Sequence, residues 1–128
     1  DGCSSNNNLD MFEEMKFAAI SAKSRSGNPT CGAAKDILAM TTSESAEYFS
    51  TGCATFEEGD SADVVLLDTA HPSMVPMHNA VSNVVYSASG SVVTDLLVAG
   101  EFVVRDRKFK GADRIIAQAS EVAARICS

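Results

Sequence analysis

Residues 1–14 read Asp1-Gly2-Cys3-Ser4-Ser5-Asn6-Asn7-Asn8-Leu9-Asp10-Met11-Phe12-Glu13-Glu14. The run starts with a carboxylate, continues through small and amide residues that favour turns, and leads directly into a helical pattern. A carboxylate beside a helix N-terminus lies near backbone N–H groups without partners inside the helix, so Asp1 suits either a metal ligand or a simple cap. This composition is typical of a loop that carries a functional site.

The pattern after this loop predicts three helices. Apolar residues recur at helical spacing from Leu9 until a breaker-rich run at 24–29 ends the first helix, and Asn7 with Asp10 resembles its capping pair. Shorter helices are predicted over 33–40 and over 43–49, the latter with Ser43 as N-cap. The side chains of the first helix expected to face the core are Leu9, Phe12, Met15, Ala19 and Ile20.

The second half of the chain predicts strands and one more helix. Residues 64–68 form a continuous apolar run after a polar turn, as in a buried strand. Two apolar, β-branched runs at 92–98 and 102–105 flank Ala99-Gly100-Glu101, which predicts a hairpin with a tight turn. Residues 113–126 have the spacing of an amphipathic helix.

Composition excludes several classes of function. Seventeen acidic against ten basic residues give a net charge of −7, which disfavours nucleic acid and anionic membrane surfaces. No apolar run reaches the length of a membrane span, and the sequence lacks the motifs of nucleobase deaminases, α/β-hydrolases and nucleotide-binding loops. The cysteines are scattered singly, which predicts reduced thiols in a cytoplasmic protein; they are Cys3, Cys31, Cys53 and Cys127.

Several runs carry a family resemblance. Asp1-Gly2 followed by Ser5-Asn6-Asn7 and Leu9-Asp10-Met11, the run 52–68 with its Ala-Asp-Val-Val-Leu-Leu-Asp ending, and the runs 81–90 and 98–107 each resemble amidohydrolase sequences. The first resembles the end of the last barrel strand in deaminases of nucleosides and S-adenosylhomocysteine and in triazine chlorohydrolases. The second resembles the stretch that re-enters the small β-sandwich of that family. Arg107 stands where the family usually has a glycine.

The resemblance implies the fold class α/β, as the C-terminal fragment of a (β/α)8 barrel amidohydrolase with the C-terminal strands of its small β-sandwich domain. Residues 1–50 would form the end of the barrel, with the tip of the last strand, the site loop and helices. Residues 51–106 would supply sandwich strands and a connecting loop, and 107–128 the C-terminal helix. In the family a Gly-Thr precedes the aspartate, so the chain is expected to be part of a longer enzyme.

The resemblance also implies the chemistry. Asp1 would be a metal ligand and the catalytic carboxylate that carries a proton from the attacking hydroxide to the departing ammonia. The implied cofactor is one divalent metal, expected to be zinc, in the intact enzyme. This piece alone is expected to be inactive, because it has no His-x-His and the spacing of His71 and His78 does not suit chelation. Ser4, Ser5 and Asn6 could line the substrate pocket; turn formation and capping are an equally good interpretation of these three.

The expected function is therefore that of a metal-dependent hydrolase of C–N bonds other than peptide bonds, namely a deaminase of a purine nucleoside or related aromatic amine. The expected partners are a small-molecule substrate and either a second copy or an N-terminal barrel portion, with no nucleic acid and no membrane. The alternative is a noncatalytic module, derived from an amidohydrolase, that self-associates or binds a partner. It would expose the apolar helix faces that normally cover a barrel.

Overall fold

Helices dominate the first part of the chain and a small sheet the second. The computed structural model describes residues 6–51 and 56–126. The helices are α1 (Met11–Ser26), α2 (Ala34–Thr41), α3 (Ser43–Phe49), α4 (Ala80–Tyr86) and α5 (Ala112–Ile126). The strands are β1 (Val64–Leu67), β2 (Val93–Val98), β3 (Glu101–Arg105) and β4 (Lys108–Phe109), and 3₁₀ turns cover Pro72–Met74 and Gly90–Val92.

The core of the helical part lies where α1, α2 and α4 meet. Its buried members are Met15, Ala19, Ile37 and Val85. The predicted inward orientation of Met15 and Ala19 is confirmed, and Phe12 packs against the same cluster. The prediction is wrong for Leu9 and Ile20, which are 72% and 48% exposed. Since α1 packs on α2 and α4 alone within this core, it buries a narrower stripe than its apolar residues could fill.

The two ends of α1 have the charges expected of a helix, but its N-cap differs from the prediction. Acidic residues in its first turn and basic residues in its last complement the helix dipole, and Gly27 ends it in a left-handed conformation at φ 63°. The prediction that Asn7 caps the helix is wrong, because Asp10 is the N-cap and accepts a hydrogen bond from the Phe12 N–H. The prediction for Ser43 is also wrong, since Thr42 occupies the N-cap position of α3.

The four strands form one antiparallel sheet in the order β1-β2-β3-β4. The predicted hairpin is confirmed, with Ala99 and Gly100 at φ 50° and 79° in its turn. The sequence did not predict β4, which follows a second turn at Asp106 and Arg107 with φ 50° and 63°. Three of these four turn residues carry a side chain in a conformation that normally favours glycine, so local sequence gives a weak signal.

Each tight turn is held by an aspartate from a neighbouring strand. Asp63, just before β1, accepts a hydrogen bond from the Ala99 N–H at 2.6 Å. Asp95, in β2, accepts one from the Asp106 N–H at 3.1 Å. These backbone hydrogen bonds, with smaller help from Ser61 and Thr94, hold the pKa of both carboxyls below the usual value. The pKa is lowered because the N–H groups bind the charged form better than the neutral one.

The lowered pKa values predict a pH dependence of stability. A carboxyl whose pKa is lower in the folded protein stabilises it above the unfolded pKa, about 4, and this contribution is lost as the pH falls through the folded pKa. We therefore expect Asp63→Asn and Asp95→Asn to lower the thermal midpoint at pH 7 and to weaken its decline between pH 5 and pH 3. Melting curves across this range measure the effect, with Glu58→Gln on an exposed loop as control. An unchanged pH profile in both variants would contradict this role.

The last helix is exposed on all sides. The predicted helix over 113–126 is confirmed as α5, but none of its residues is buried, and Ile115 and Ile116 are 47% and 63% exposed. Its apolar face therefore has no cover within the described part of the chain. In residues 6–51 and 56–126, no helix combines the length and apolar character needed to cross a membrane.

Candidate active site

The loop that leads into α1 is fastened to the first turn of that helix. The Asn6 side-chain amide donates a hydrogen bond to Glu14 Oε1 at 2.6 Å, and the Asn8 amide donates one to Glu13 Oε2. Both acceptors belong to α1, so the loop folds back against the helix that it precedes. The substrate-binding role predicted for Asn6 stays a prediction, and Asp1, Ser4 and Ser5 lie outside the described residues.

Asp10 connects this loop to a distant part of the chain. Its Oδ1 atom accepts a hydrogen bond from the Phe12 N–H at 2.9 Å, as expected of an N-cap. Its Oδ2 atom accepts one from the Gly90 N–H at 3.0 Å, 80 positions later. Gly90 starts the 3₁₀ turn that leads into β2. One carboxylate therefore joins the start of α1 to the entry of the sheet.

A groove runs between the helical core and the sheet beside this contact. Its volume is about 870 Å³, and its walls include Phe12 and Leu38 from the helices and Val65 and Leu96 from the strands. Most of its lining is apolar, while Asp10 contributes one of its few charged groups. Such a surface suits packing against apolar chain or ligand, and it offers few polar groups for binding.

The described residues do not by themselves provide a metal centre. In the ranges 6–51 and 56–126, no three His, Cys, Asp or Glu side chains lie close enough to share a cation. His71 has another role, because its Nδ1 atom accepts from the Ser73 N–H at 3.2 Å and lies 2.8 Å from the Ser73 hydroxyl. His78 is exposed. A metal bound by Asp1 would need further ligands from outside the described part of the chain.

The run at 81–90, which resembles amidohydrolase sequences, has a structural role. The Asn83 amide donates to the backbone carbonyls of Met74 and Pro76 at 2.9 and 3.3 Å, and so holds the preceding loop against α4. Met74 is 2% exposed beneath this loop. The sequence pattern pointed to this run but assigned Asn83 no role. Its partners are backbone atoms, which leave no trace in residue types.

Lys23 is a second residue whose role the sequence did not reveal. It is half-buried, and its Nζ donates to the Cys31 and Gly32 carbonyls and to the Tyr86 hydroxyl at 3.0, 2.7 and 2.8 Å. Gly32 also packs directly against α1, since a Cβ atom at this position would lie 2.9 Å from the Ala22 Cβ. Lys23 thereby joins α1, the loop before α2 and the end of α4.

Comparison with known proteins places these features in a family. The model of the amidohydrolase family matches residues 1–103. The chain belongs to the amidohydrolase family. The resemblance inferred from the sequence is thereby confirmed, and the described helices and antiparallel sheet agree with that fold.

The relatives within this family include named deaminases. A 5'-deoxyadenosine deaminase of Methanospirillum hungatei is 46% identical over 123 residues, which cover 96% of this chain and 27% of the relative. A 5-methylthioadenosine/S-adenosylhomocysteine deaminase of Archaeoglobus fulgidus is 43% identical over 129 residues, covering 98% and 31%. The noncatalytic alternative gains no support from these names.

A solved structure shares the fold over nearly the whole chain. It is an adenosine deaminase from Xanthomonas campestris with bound zinc, and it superposes with a TM-score of 0.91 at 33% identity. The match covers 98% of this chain and 30% of that one. The present chain thus spans somewhat less than a third of the length of the relatives it matches.

Proposed function

We propose that this chain is part of a metal-dependent deaminase that hydrolyses the exocyclic amino group of an adenosine derivative and releases ammonia. The observation that carries the proposal is the 46% identity, over 96% of the chain, to a protein named as a 5'-deoxyadenosine deaminase. Relatives with two different deaminase names match at similar identity, so the proposal covers 5'-substituted adenosines as a class. The scattered cysteines favour a cytoplasmic location.

The proposed architecture assigns a part to each region. Residues 1–50 complete the C-terminal end of a (β/α)8 barrel, residues 51–106 contribute strands to a β-sandwich, and the last region, 107–128, contains the short strand β4 and the helix α5. The position of β1 at the edge of the sheet formed by the described residues and the apolar groove support this arrangement, because both offer surface to a further segment of chain. The partner in this arrangement is the N-terminal portion of the same barrel.

The proposed catalytic group is Asp1, with Ser4, Ser5 and Asn6 near the substrate. A divalent metal, zinc by analogy with the Xanthomonas protein, would supply Lewis acidity when bound. No three potential ligands lie together within residues 6–51 and 56–126, and the proposal therefore draws the remaining ligands from the N-terminal portion of the barrel. The task of Asp1 is to accept a proton from the attacking water and to deliver it to the leaving amine.

The test uses the intact gene product that contains these residues. Ammonia release is measured with adenosine, 5'-deoxyadenosine, 5'-methylthioadenosine and S-adenosylhomocysteine, together with the metal content of the protein. We expect turnover of at least one 5'-substituted adenosine, loss of activity after chelation and recovery with zinc. The isolated 128-residue chain should show neither turnover nor tight metal binding. A metal-loaded intact protein that deaminates none of these nucleosides would overturn the proposal.

A further inference from the structure

The two carboxylate oxygens of Asp10 serve two different backbone groups. Oδ1 takes the Phe12 N–H and closes the first turn of α1, whereas Oδ2 takes the Gly90 N–H at 3.0 Å. An N-cap needs only one oxygen, and Ser or Thr would supply it. The second hydrogen bond is therefore additional to capping, and it needs a side chain with two acceptors.

The second bond matters because the other side-chain contacts of residues 6–10, within the part of the chain that the structure describes, go to α1 itself. Asn6 and Asn8 bind Glu14 and Glu13 in the first turn of α1. The Asp10–Gly90 bond instead fixes the loop relative to the entry of β2, across the end of the apolar groove. Together these contacts hold residues 6–10 against two separate parts of the fold.

We propose that Asp10 is a positioning residue that, through its bond to Gly90, fixes residues 6–10, the segment that leads from the proposed catalytic site into α1. This inference rests on the proposed function, since it assigns Asp10 a task in the same site. Asp10 touches neither substrate nor the reacting atoms in this proposal; it acts through the backbone of residues 6–10. Loss of the Oδ2 contact lets that loop shift, and a shift of about 1 Å at a catalytic group can cost about 10²-fold in rate.

Two substitutions separate this bond from the helix cap. Asp10→Asn keeps the shape of the side chain, and asparagine is a good N-cap residue. Because an amide has one oxygen, only one of the Phe12 and Gly90 N–H groups keeps its acceptor. Gly90→Pro removes the other partner of the same bond. Proline is accommodated at the first position of a helical turn, and Ser89 before it is extended at φ −144° and ψ 174°, which suits a residue preceding proline.

A matched control keeps the N–H and changes only the side chain. In Gly90→Ala, the added Cβ would lie 3.5 Å from Asp10 Oδ2, an ordinary van der Waals contact. A second control lowers stability without touching the loop. Ile37→Val, in the core where α1, α2 and α4 meet, removes a buried methylene group and should lower the thermal midpoint.

All variants are made in the intact protein, and kcat, KM, zinc content and thermal midpoint are measured. We expect Asp10→Asn and Gly90→Pro each to lower kcat about tenfold with KM within about twofold and zinc retained, and the double variant to be no slower than either single one. Gly90→Ala and Ile37→Val should keep the kcat of the unmodified enzyme.

Three results would overturn the inference. One is unchanged kcat in both Asp10→Asn and Gly90→Pro, and another is a loss confined to Asp10→Asn, which would place the effect in the cap. The third is a loss of kcat in Ile37→Val equal to the losses in Asp10→Asn and Gly90→Pro. That result would make the lower kcat a consequence of lower stability. An unmodified intact protein without deaminase activity would instead refute the proposed function, so the two failures are distinguishable.

Discussion

Asp1→Asn in the intact protein is expected to lower kcat for the deamination of a 5'-substituted adenosine by about 10³-fold. The change removes a proton acceptor and keeps the size of the side chain. General acid–base catalysis by one positioned group is worth about 10²–10⁴-fold, and Asp1 is proposed to move the proton both from the water and to the amine. Steady-state ammonia release, with zinc content determined on the same samples, measures the loss.

The control for this variant is Asp36→Asn, which removes an equal charge from the exposed face of α2. It should leave kcat and KM unchanged. If Asp1→Asn kept more than a tenth of the activity with its zinc in place, the proton-transfer role of Asp1 would be wrong. If zinc were lost as well, the result would favour a ligand role for Asp1, and activity at saturating zinc would then separate the two roles.

Lys23→Met is expected to destabilise the helical part of the fold by about 2–3 kcal/mol. Methionine keeps an apolar stem of similar length but cannot donate, so the Cys31 and Gly32 carbonyls and the Tyr86 hydroxyl lose their shared partner. Hydrogen bonds from a charged donor contribute about 1.5–3 kcal/mol, and partly buried acceptors left without a donor add to the cost. Native-state hydrogen exchange of amides in α1 and α2 reports this local loss.

Tyr86→Phe is the matched comparison, because it removes one of the three acceptors and keeps the ring that lies 5.4 Å from Lys23 Nζ. It should cost about 1 kcal/mol. In the double variant the loss should equal that of Lys23→Met alone, since the tyrosine hydroxyl has already lost its donor. Additive losses would show that Lys23 and Tyr86 act independently, contrary to this view.

The elements that the sequence predicts well are those with a strong local signal. The helical spacing from Phe12 to Ala19 and the Ala99-Gly100 turn predict α1 and the hairpin close to their observed limits. The exposed apolar face of α5 carries the same helical signal, and its periodicity predicts the helix without saying what covers it. Periodicity reports conformation, whereas burial depends on which other elements are near.

The features that the sequence did not predict share a different cause. Lys23 has the charge and spacing of a solvated residue, and only the loop before α2 and the end of α4 give it partners. The strand β4 follows a turn of Asp106 and Arg107, in which aspartate favours a left-handed conformation only weakly and arginine does not favour it. In both cases the deciding contacts join residues far apart in sequence, which no local pattern encodes.

The candidate site also has features that the sequence indicates and features that only the structure reveals. The family-like run around Asp1 directs attention to the loop, and the roles assigned to Asp1, Ser4, Ser5 and Asn6 stay predictions. The bond from Asp10 to Gly90, however, joins residues 80 positions apart and needs three-dimensional information. Asn6 illustrates the limit of residue type, because the sequence alone does not reveal that its amide donates a hydrogen bond to Glu14.

The aspartates that hold the two sheet turns have a consequence for protein engineering. Because Asp95 binds the Asp106 N–H and Asp68 pairs with Arg107 at 2.7 Å, the conformation of the second turn is specified by residues on other strands. These contacts explain how Arg107 can adopt a left-handed conformation at φ 63°, which normally favours glycine. If residues 101–109 were grafted into another sheet, the turn would lose the Asp68 and Asp95 carboxylates and would unwind. A graft that included Asp68 and Asp95 would keep the conformation of the turn.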